Sequence, residues 1–301
     1  MNRTPSLLAL GLALACAALS VSCVSKPPLP KQASIERLPR PAADADYSLV
    51  IAGADIIYFP SERAASGARS EPSAMVLDAL RQNGAPFAIA WDLIDASQQP
   101  LLDELQTKTG AARDDVIARL DLNGTGRARE HCRAVLREAR FATVRHLALQ
   151  APEPLIASVR AGTISPEEEK RISEGFKPPA GGLEAYIERS SGTRGASQTD
   201  IAGAYRAELA REQFAAEQIV QHFGSTAAGG KLLVFMRRDG LAGGSGVPLY
   251  VAQKMQLRQV ILSSDAPQDG RSMLTQANPQ QRRAPGNDPA ASGAPAEPAP
   301  R

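Results

Sequence analysis

Histidine and cysteine are both scarce, with three of each in 301 residues. The cysteines are Cys16, Cys23 and Cys132, and no two of them have CxxC spacing, which excludes the usual zinc and thiol-redox motifs. Charge of one sign is lacking too. Thirty-four basic and 32 acidic residues leave a formal charge of +2 without long runs, so no basic face is expected to attract nucleic acid. No internal repeat is visible, and no serine stands in a Gly-x-Ser-x-Gly elbow. The glycine-rich stretch 239–246 (DGLAGGSG) lacks the Gly-Lys-Ser/Thr ending of a phosphate loop, and Val247-Pro248 follows instead. Its glycines suit a lid or tight turns.

What is present begins with an export signal. Arg3 precedes an uncharged apolar run over 7–21, too short for a comfortable membrane span, and Ser20 and Ser22 precede Cys23. This order resembles a bacterial lipobox, with Ser20 where leucine is usual. The expectation is a signal peptide over 1–22, a lipidated Cys23 that tethers the chain to a membrane, and a cell-envelope location facing the periplasm or the cell surface. Cys132 would then be the sole thiol of the mature chain. Residues 25–45 are rich in Pro, Lys, Arg and Ala and read as tether, giving a linker over 23–47. From 263 to 301 the composition turns to Pro, Ala, Gly, Gln and Asp and reads as a disordered tail.

Between these ends, over 48–262, short apolar runs alternate with longer stretches of helical spacing. Strands are expected at 55–58 (DIIY), 87–91 (FAIAW), 144–149 (VRHLAL), 231–236 (KLLVFM) and 258–262 (RQVIL). Helices are expected from Pro72 to Asn83-Gly84, over 129–140 and over 201–223. The alternation implies a single α/β domain with a mainly parallel sheet covered by helices on both faces. Ligands of such sheets sit at the carboxyl ends of strands, so the segments after Tyr58, Trp91, Leu149 and Met236 are where a site belongs.

Several ordered stretches resemble the ChaN-like family of the haem-binding-uptake and Tiki superfamily. Ala54-Asp55-Ile56-Ile57 is similar to the strand before that family's Gly-Glu-x-His-Asp motif, and Gln99-Pro100-Leu101-Leu102-Asp103 to its Gln-Pro-x-Leu-Asp. Ala148-Leu149-Gln150-Ala151-Pro152 resembles Ala-Leu-Asn-Ala-Pro, and Gly162 with Ile164-Ser165-Pro166-Glu167-Glu168 resembles Gly then Leu-Ser-Pro-Glu-Glu. Ala216-Glu217-Gln218-Ile219 resembles Ala-Glu-Arg-Ile, and Gly244-Ser245-Gly246-Val247-Pro248 resembles Gly-Tyr-Gly-Ile-Pro. The resemblance implies haem as a possible cofactor and a role in iron uptake.

The departures fall on the functional motifs. Pro60-Ser61-Glu62-Arg63-Ala64 stands where the family has Gly-Glu-x-His-Asp, so Arg63 replaces the histidine and Ser61 the glutamate. A guanidinium stays protonated and offers no lone pair to a metal. Ala68-Arg69 replaces a His-His of many relatives, and Gly240 occupies the histidine position of the later Ala-Gly-x-Gly-His. Asp92 falls where the family's strand ends in Glu-Met. Arg63, Asp92, Arg237, Arg238 and Asp239 are then expected to cluster at one sheet edge. They form either a pocket that recognises carboxylates or phosphates by arginine forks, or a set of mutually satisfied ion pairs.

Tyr58 is a candidate phenolate ligand to ferric haem at the end of the first strand, and Glu62 a lone carboxylate for a metal. His131, His146 and His222 lie on or beside elements and read as structural or exposed. His222, at the end of a helix, is placed where the backbone dipole favours a cation. His131 and Cys132 are sequence neighbours on a helix and point apart, against a Cys/His nucleophile. The expected function is a non-catalytic binding or accessory lipoprotein, with haem and an envelope protein as possible partners. The alternatives are an interaction scaffold using the altered pocket or the Pro-rich tail, and a metal-dependent hydrolase of the Tiki type, which needs the missing His and Glu.

Overall fold

The computed structural model describes residues 33–39, 47–60, 72–174, 176–190, 195–225, 230–237, 239–241 and 246–263. The expected signal peptide, Cys23 and the tail beyond 263 lie outside the described residues. Among the described residues, no helix is long and apolar enough to cross a membrane.

Six strands form one sheet in the order β1-β6-β2-β5-β3-β4, with every paired neighbour parallel. They are β1 (Ser34–Pro39), β2 (Ile56–Pro60), β3 (Phe87–Asp95), β4 (Arg145–Gln150), β5 (Lys231–Met236) and β6 (Arg258–Ser263). The central strand β5, KLLVFM, is buried throughout, as expected of an inner parallel strand covered on both sides.

Side chains alternate between two cores. Phe59, Trp91 and Phe235 point to one face, where α1 (Ser48–Gly53), α2 (Pro72–Asn83), α3 (Gln99–Leu105), α4 (Gly110–Arg119) and α5 (Gly126–Arg137) contribute Ile51, Val76, Leu102, Ile117 and Leu136. Tyr58, Ala90 and Val234 point to the other. There α9 (Gln198–Ser225) and α10 (Val247–Lys254) supply Ile219 and Tyr250. Beyond α9 lie α6 (Glu153–Ala161), α7 (Pro166–Ser173) and α8 (Gly182–Arg189). The two-faced α/β layering matches expectation.

Two expectations need correction. The stretch read as tether contains β1, because Ser34–Pro39 pairs in register with Arg258–Ser263 at the sheet edge. An edge strand needs only a half-covered face, and its terminal Pro39 forgoes a ladder bond at little cost there. The second strand does not stop at Trp91 but runs on to Asp95, with its register to β4 shifting between Trp91 and Asp95. Asp92 therefore lies inside a strand.

The motifs that resemble the family do structural work here. The Gln99 side chain accepts from Ala148 N at 2.8 Å and donates to the His146 carbonyl at 3.0 Å, acting as a surrogate strand along the open edge of β4. Ser165 Oγ accepts from Glu168 N at 3.2 Å and the Glu168 carboxylate reaches back to that hydroxyl, with Pro166 in the first turn of α7. Gly246 opens α10 at a φ of 92°, and a Cβ there would run into the Gly240 carbonyl, so glycine is required on both counts.

Candidate functional site

The carboxyl ends of β3, β4 and β5 meet the middle of α9. Asp92, 6 % exposed, sits at the centre. Its Oδ2 accepts from the Arg237 backbone N at 2.8 Å and from Arg237 Nε at 3.1 Å. The ladder explains the contact: Trp91 is level with Phe235, so the residue after each strand core meets its neighbour at the rim. Arg237 leaves its side chain 41 % exposed, whereas that of Asp92 is 8 % exposed. From α9, Arg211 pairs with Glu208 at 3.5 Å, and Glu212 is buried beside them. Asp92, Gln150, Glu208, Arg211, Glu212 and Arg237 line a cleft of about 20 Å³. That is room for about one water. Three carboxylates face two guanidiniums, and burial together with Glu212 and Tyr205 pushes the neighbouring Tyr250 phenol up.

The candidate residues fare differently. Asp92 and Arg237 are brought together, at the rim of interior strands and not at a lateral edge of the sheet. Asp239 lies in a single 3-10 turn, Asp239–Leu241, and its side chain is outside the described set. Glu62, Arg63 and Arg238 lie outside the described residues.

Tyr58 departs from expectation. It stands in the middle of β2, wholly buried, and its hydroxyl donates to Gln259 Oε1 at 2.7 Å. Gln259 Nε2 in turn donates to the Pro248 carbonyl at 2.9 Å. Burial pushes the phenol well above its ordinary pKa, so it stays protonated and ties β2 to β6 and α10. A phenolate aimed at the strand-end loop is not available from this position.

Two of the histidines, His146 and His222, are buried, and His131 is half-buried. His146 is fully buried, and its Nδ1 accepts from Trp91 Nε1 at 3.2 Å. Burial, with Arg113 adding to it, holds its pKa down at about 3 against a smaller opposing pull from the Phe141 backbone. His131 meets the Phe235 ring edge-on at 5.3 Å, and burial lowers it to about 4. His222 reverses the expectation of a helix-end cation: it is 7 % exposed, and burial together with the nearby Arg145 lowers its pKa, so it sits neutral. Cys132 is buried and its thiol is pushed up by burial, which removes thiolate chemistry.

These donors do not suit iron. Among the described residues, no three of His, Cys, Asp and Glu converge on a point that would hold a metal ion. The segment 61–71 after β2 contains only Ser, Glu, Arg, Ala and Gly, so it offers no imidazole, phenol, thiol or thioether. Among the described residues the strand-end cleft presents one thioether, Met236, and no imidazole, phenol or thiol, which does not make a pair of axial haem ligands.

Sequence reasoning missed Lys231 and Arg113. Lys231 Nζ donates to the carbonyls of Ile51 at 2.6 Å and Ala54 at 2.7 Å, capping the end of α1 from inside the sheet. Arg113, 4 % exposed, donates to the Leu136 carbonyl at 2.8 Å and to those of Leu105 and Ala142. A charged residue in an apolar run, as in Lys231-Leu232-Leu233, is the one signal that hints at such a role.

The profile of the family described as "Haem-binding uptake, Tiki superfamily, ChaN" matches residues 50–251, about two-thirds of the chain. The chain belongs to this family. Among solved structures it is similar to "Cofacial heme binding to ChaN of Campylobacter jejuni", with TM-score 0.51, 14 % identity, and coverage of 72 % of this chain and 83 % of that one. At that identity the likeness shows the fold alone. A weaker likeness is to a mutant erythromycin esterase in its open conformation, with TM-score 0.39, 12 % identity, and coverage of 75 % of this chain and 76 % of that one. No curated protein matches the chain.

Proposed function

We propose that this chain is a cell-envelope lipoprotein of the ChaN family that acts as a non-catalytic binding or accessory protein, its strand-end site held by charge pairing and not by iron ligands. The observation that carries the reading is Asp92, whose carboxylate is taken by both the backbone and the side chain of Arg237 at the place where a strand-end ligand would bind. A carboxylate engaged in this way, facing a cleft with room for one water, favours the reading of mutually satisfied ion pairs over an open anion pocket.

Haem comes to this chain only through its family and through the haem-binding Campylobacter protein. The residues at the strand ends argue against iron coordination there, since His146 and His222 are buried in the core, His131 packs half-buried against Phe235, and Tyr58 is committed to Gln259. The same site argues against a Tiki-type metal hydrolase, because Ser61 and Arg63 supply neither the carboxylate nor the imidazole that a bound metal and its water need. The likeness to the esterase is too weak to count. The membrane tether rests on the sequence order of Arg3, the apolar run 7–21 and Cys23.

Two measurements on the full chain test the reading. Incubation with Zn²⁺, Mn²⁺ or Fe²⁺ and peptide or ester substrates is expected to give no metal-dependent turnover; saturable turnover lost on chelation would restore the hydrolase. Expression in a bacterial host with radiolabelled palmitate is expected to label the chain and place it with membranes, and Cys23→Ser is expected to abolish both; equal labelling of that variant would contradict the anchor.

A further inference from the structure

A second cavity, about 140 Å³ and sharing no lining residue with the strand-end cleft, opens between α6, α7 and α9. It exists because α9 presents two faces. Glu208, Arg211 and Glu212 point to the strand ends, whereas Arg206, Leu209, Ala210 and Gln213 point the other way at helical spacing. One end is closed by the tight crossing of α6 and α9: a Cβ on Gly203 would lie 2.6 Å from the Arg160 carbonyl oxygen. The far wall, with Phe176, is pinned to α10. Lys177 N donates to Gln253 Oε1 at 2.8 Å, Gln253 Nε2 returns to the Lys177 carbonyl at 3.0 Å, and Lys254 Nζ lies 4.6 Å over the Phe176 ring.

The lining is apolar through Val159, Ile164, Ile172, Phe176 and Leu209, with three polar side chains, Glu169, Arg206 and Gln213, placed apart. Gln213 is 4 % exposed, yet its amide makes no hydrogen bond within the described residues and faces the cavity. The amide is not among the fully buried polar atoms left without a partner, so it opens onto the cavity, where water or a ligand group meets it. Arg206, two helical turns away on the same face, reaches the rim and has no ion pair within the described residues. Glu169 shares the rim but is already engaged elsewhere. Two turns of helix span about 10 Å.

We infer that this cavity binds a small apolar carboxylate carrying a hydrogen-bonding group at its far end, with the carboxylate at Arg206, the body over Leu209 and Ala210, and the far group on the Gln213 amide. The size suits one ring, since an apolar cavity of about 150 Å³ takes up benzene. The inference stands apart from the strand-end reading.

The test is titration calorimetry of the full chain with three probes: 4-hydroxyphenylacetate, phenylacetate and tyramine. Saturable binding of 4-hydroxyphenylacetate is expected, about fivefold tighter than phenylacetate, one hydrogen bond's worth. Tyramine, with a cation in place of the carboxylate, is expected to bind at least about fivefold more weakly than 4-hydroxyphenylacetate. Gln213→Leu is expected to erase the preference for the hydroxyl while still binding phenylacetate, Arg206→Ala to erase the preference over tyramine, and Ala210→Phe to abolish binding by filling the space. No saturable binding of any probe, tyramine binding as tightly as the carboxylates, or an unchanged hydroxyl preference in Gln213→Leu would each overturn the inference.

Discussion

Trp91 and His146 lie on the adjacent strands β3 and β4, with the indole N–H donating to Nδ1 at 3.2 Å and the rings stacked 25° apart in tilt. The imidazole is thereby fixed in one neutral tautomer inside the core. Its folded pKa, about 3, lies below the ordinary 6.5 of the unfolded chain. Between these values the unfolded chain binds the proton and the folded chain does not, so stability is fully present above pH 6.5 and is lost as pH falls toward 3. His146 alone contributes a slope of about 1.4 kcal/mol per pH unit in that window, and His131 and His222 act in the same direction. Urea unfolding at about pH 7 and about pH 5, on either side of the ordinary histidine pKa, is expected to show a lower midpoint in the acid. An equal or higher midpoint there would contradict burial of neutral histidines.

Gln99 substitutes for a further strand along the open edge of β4. Gln99→Ala removes three hydrogen bonds, an exposed one to Asp103 Oδ1 and the two to β4, and leaves a half-buried amide and carbonyl for water to find, so a loss of about 1–2 kcal/mol is expected. Hydrogen exchange at Ala148 N is expected to quicken in the same variant, while amides of β5 keep their protection.

Lys231 brings a charge into the core, where its ammonium satisfies carbonyls at the end of α1. Lys231→Met preserves the length of the side chain and its apolar stem but strips those carbonyls of their donor. The expected cost is about 2–3 kcal/mol in chemical denaturation, larger than for a typical surface lysine. A neutral result would mean that water replaces the ammonium.

At the strand ends, Asp92→Asn and Arg237→Ala are expected to differ. Asp92 is buried and accepts two hydrogen bonds, so its replacement is expected to cost about 1–2 kcal/mol. Arg237 keeps its backbone N–H after substitution and its side chain is well exposed, so Arg237→Ala is expected to cost less than about 1 kcal/mol. A double-mutant cycle in urea measures the coupling.

Much of this fold is readable along the chain because inner parallel strands leave an uninterrupted apolar signature. FAIAW and KLLVFM have no other comfortable home. The edge strand β1 leaves no such mark: Ser34 to Leu38 are half-buried, and the prolines around it in the sequence point to tether composition. The continuation of β3 through Asp92 and Asp95 is equally hidden, since acidic residues end a strand reading and only the rim pairing with Arg237 accounts for one of them. At the site, the reading that motif histidines are replaced rests on the order of residues alone, and the grouping of Asp92 with Arg237 is legible there too. The fate of Tyr58 is not, because one residue of register decides whether a tyrosine in a five-residue strand faces a loop or a core. The family-like motifs that persist, around Gln99, Ser165 and Gly246, are those whose work is local capping and edge pairing.

Haemin titration of the full chain, followed by Soret absorbance and compared with Tyr58→Phe and Asp92→Asn, tests most directly whether the strand-end site has given up iron ligation. The account predicts only weak, unsaturable binding that neither variant changes, with Tyr58→Phe less stable by about 1 kcal/mol for its lost hydrogen bond to Gln259. A saturable one-to-one Soret transition that collapses in Tyr58→Phe or Asp92→Asn would contradict it and return an iron ligand to this site.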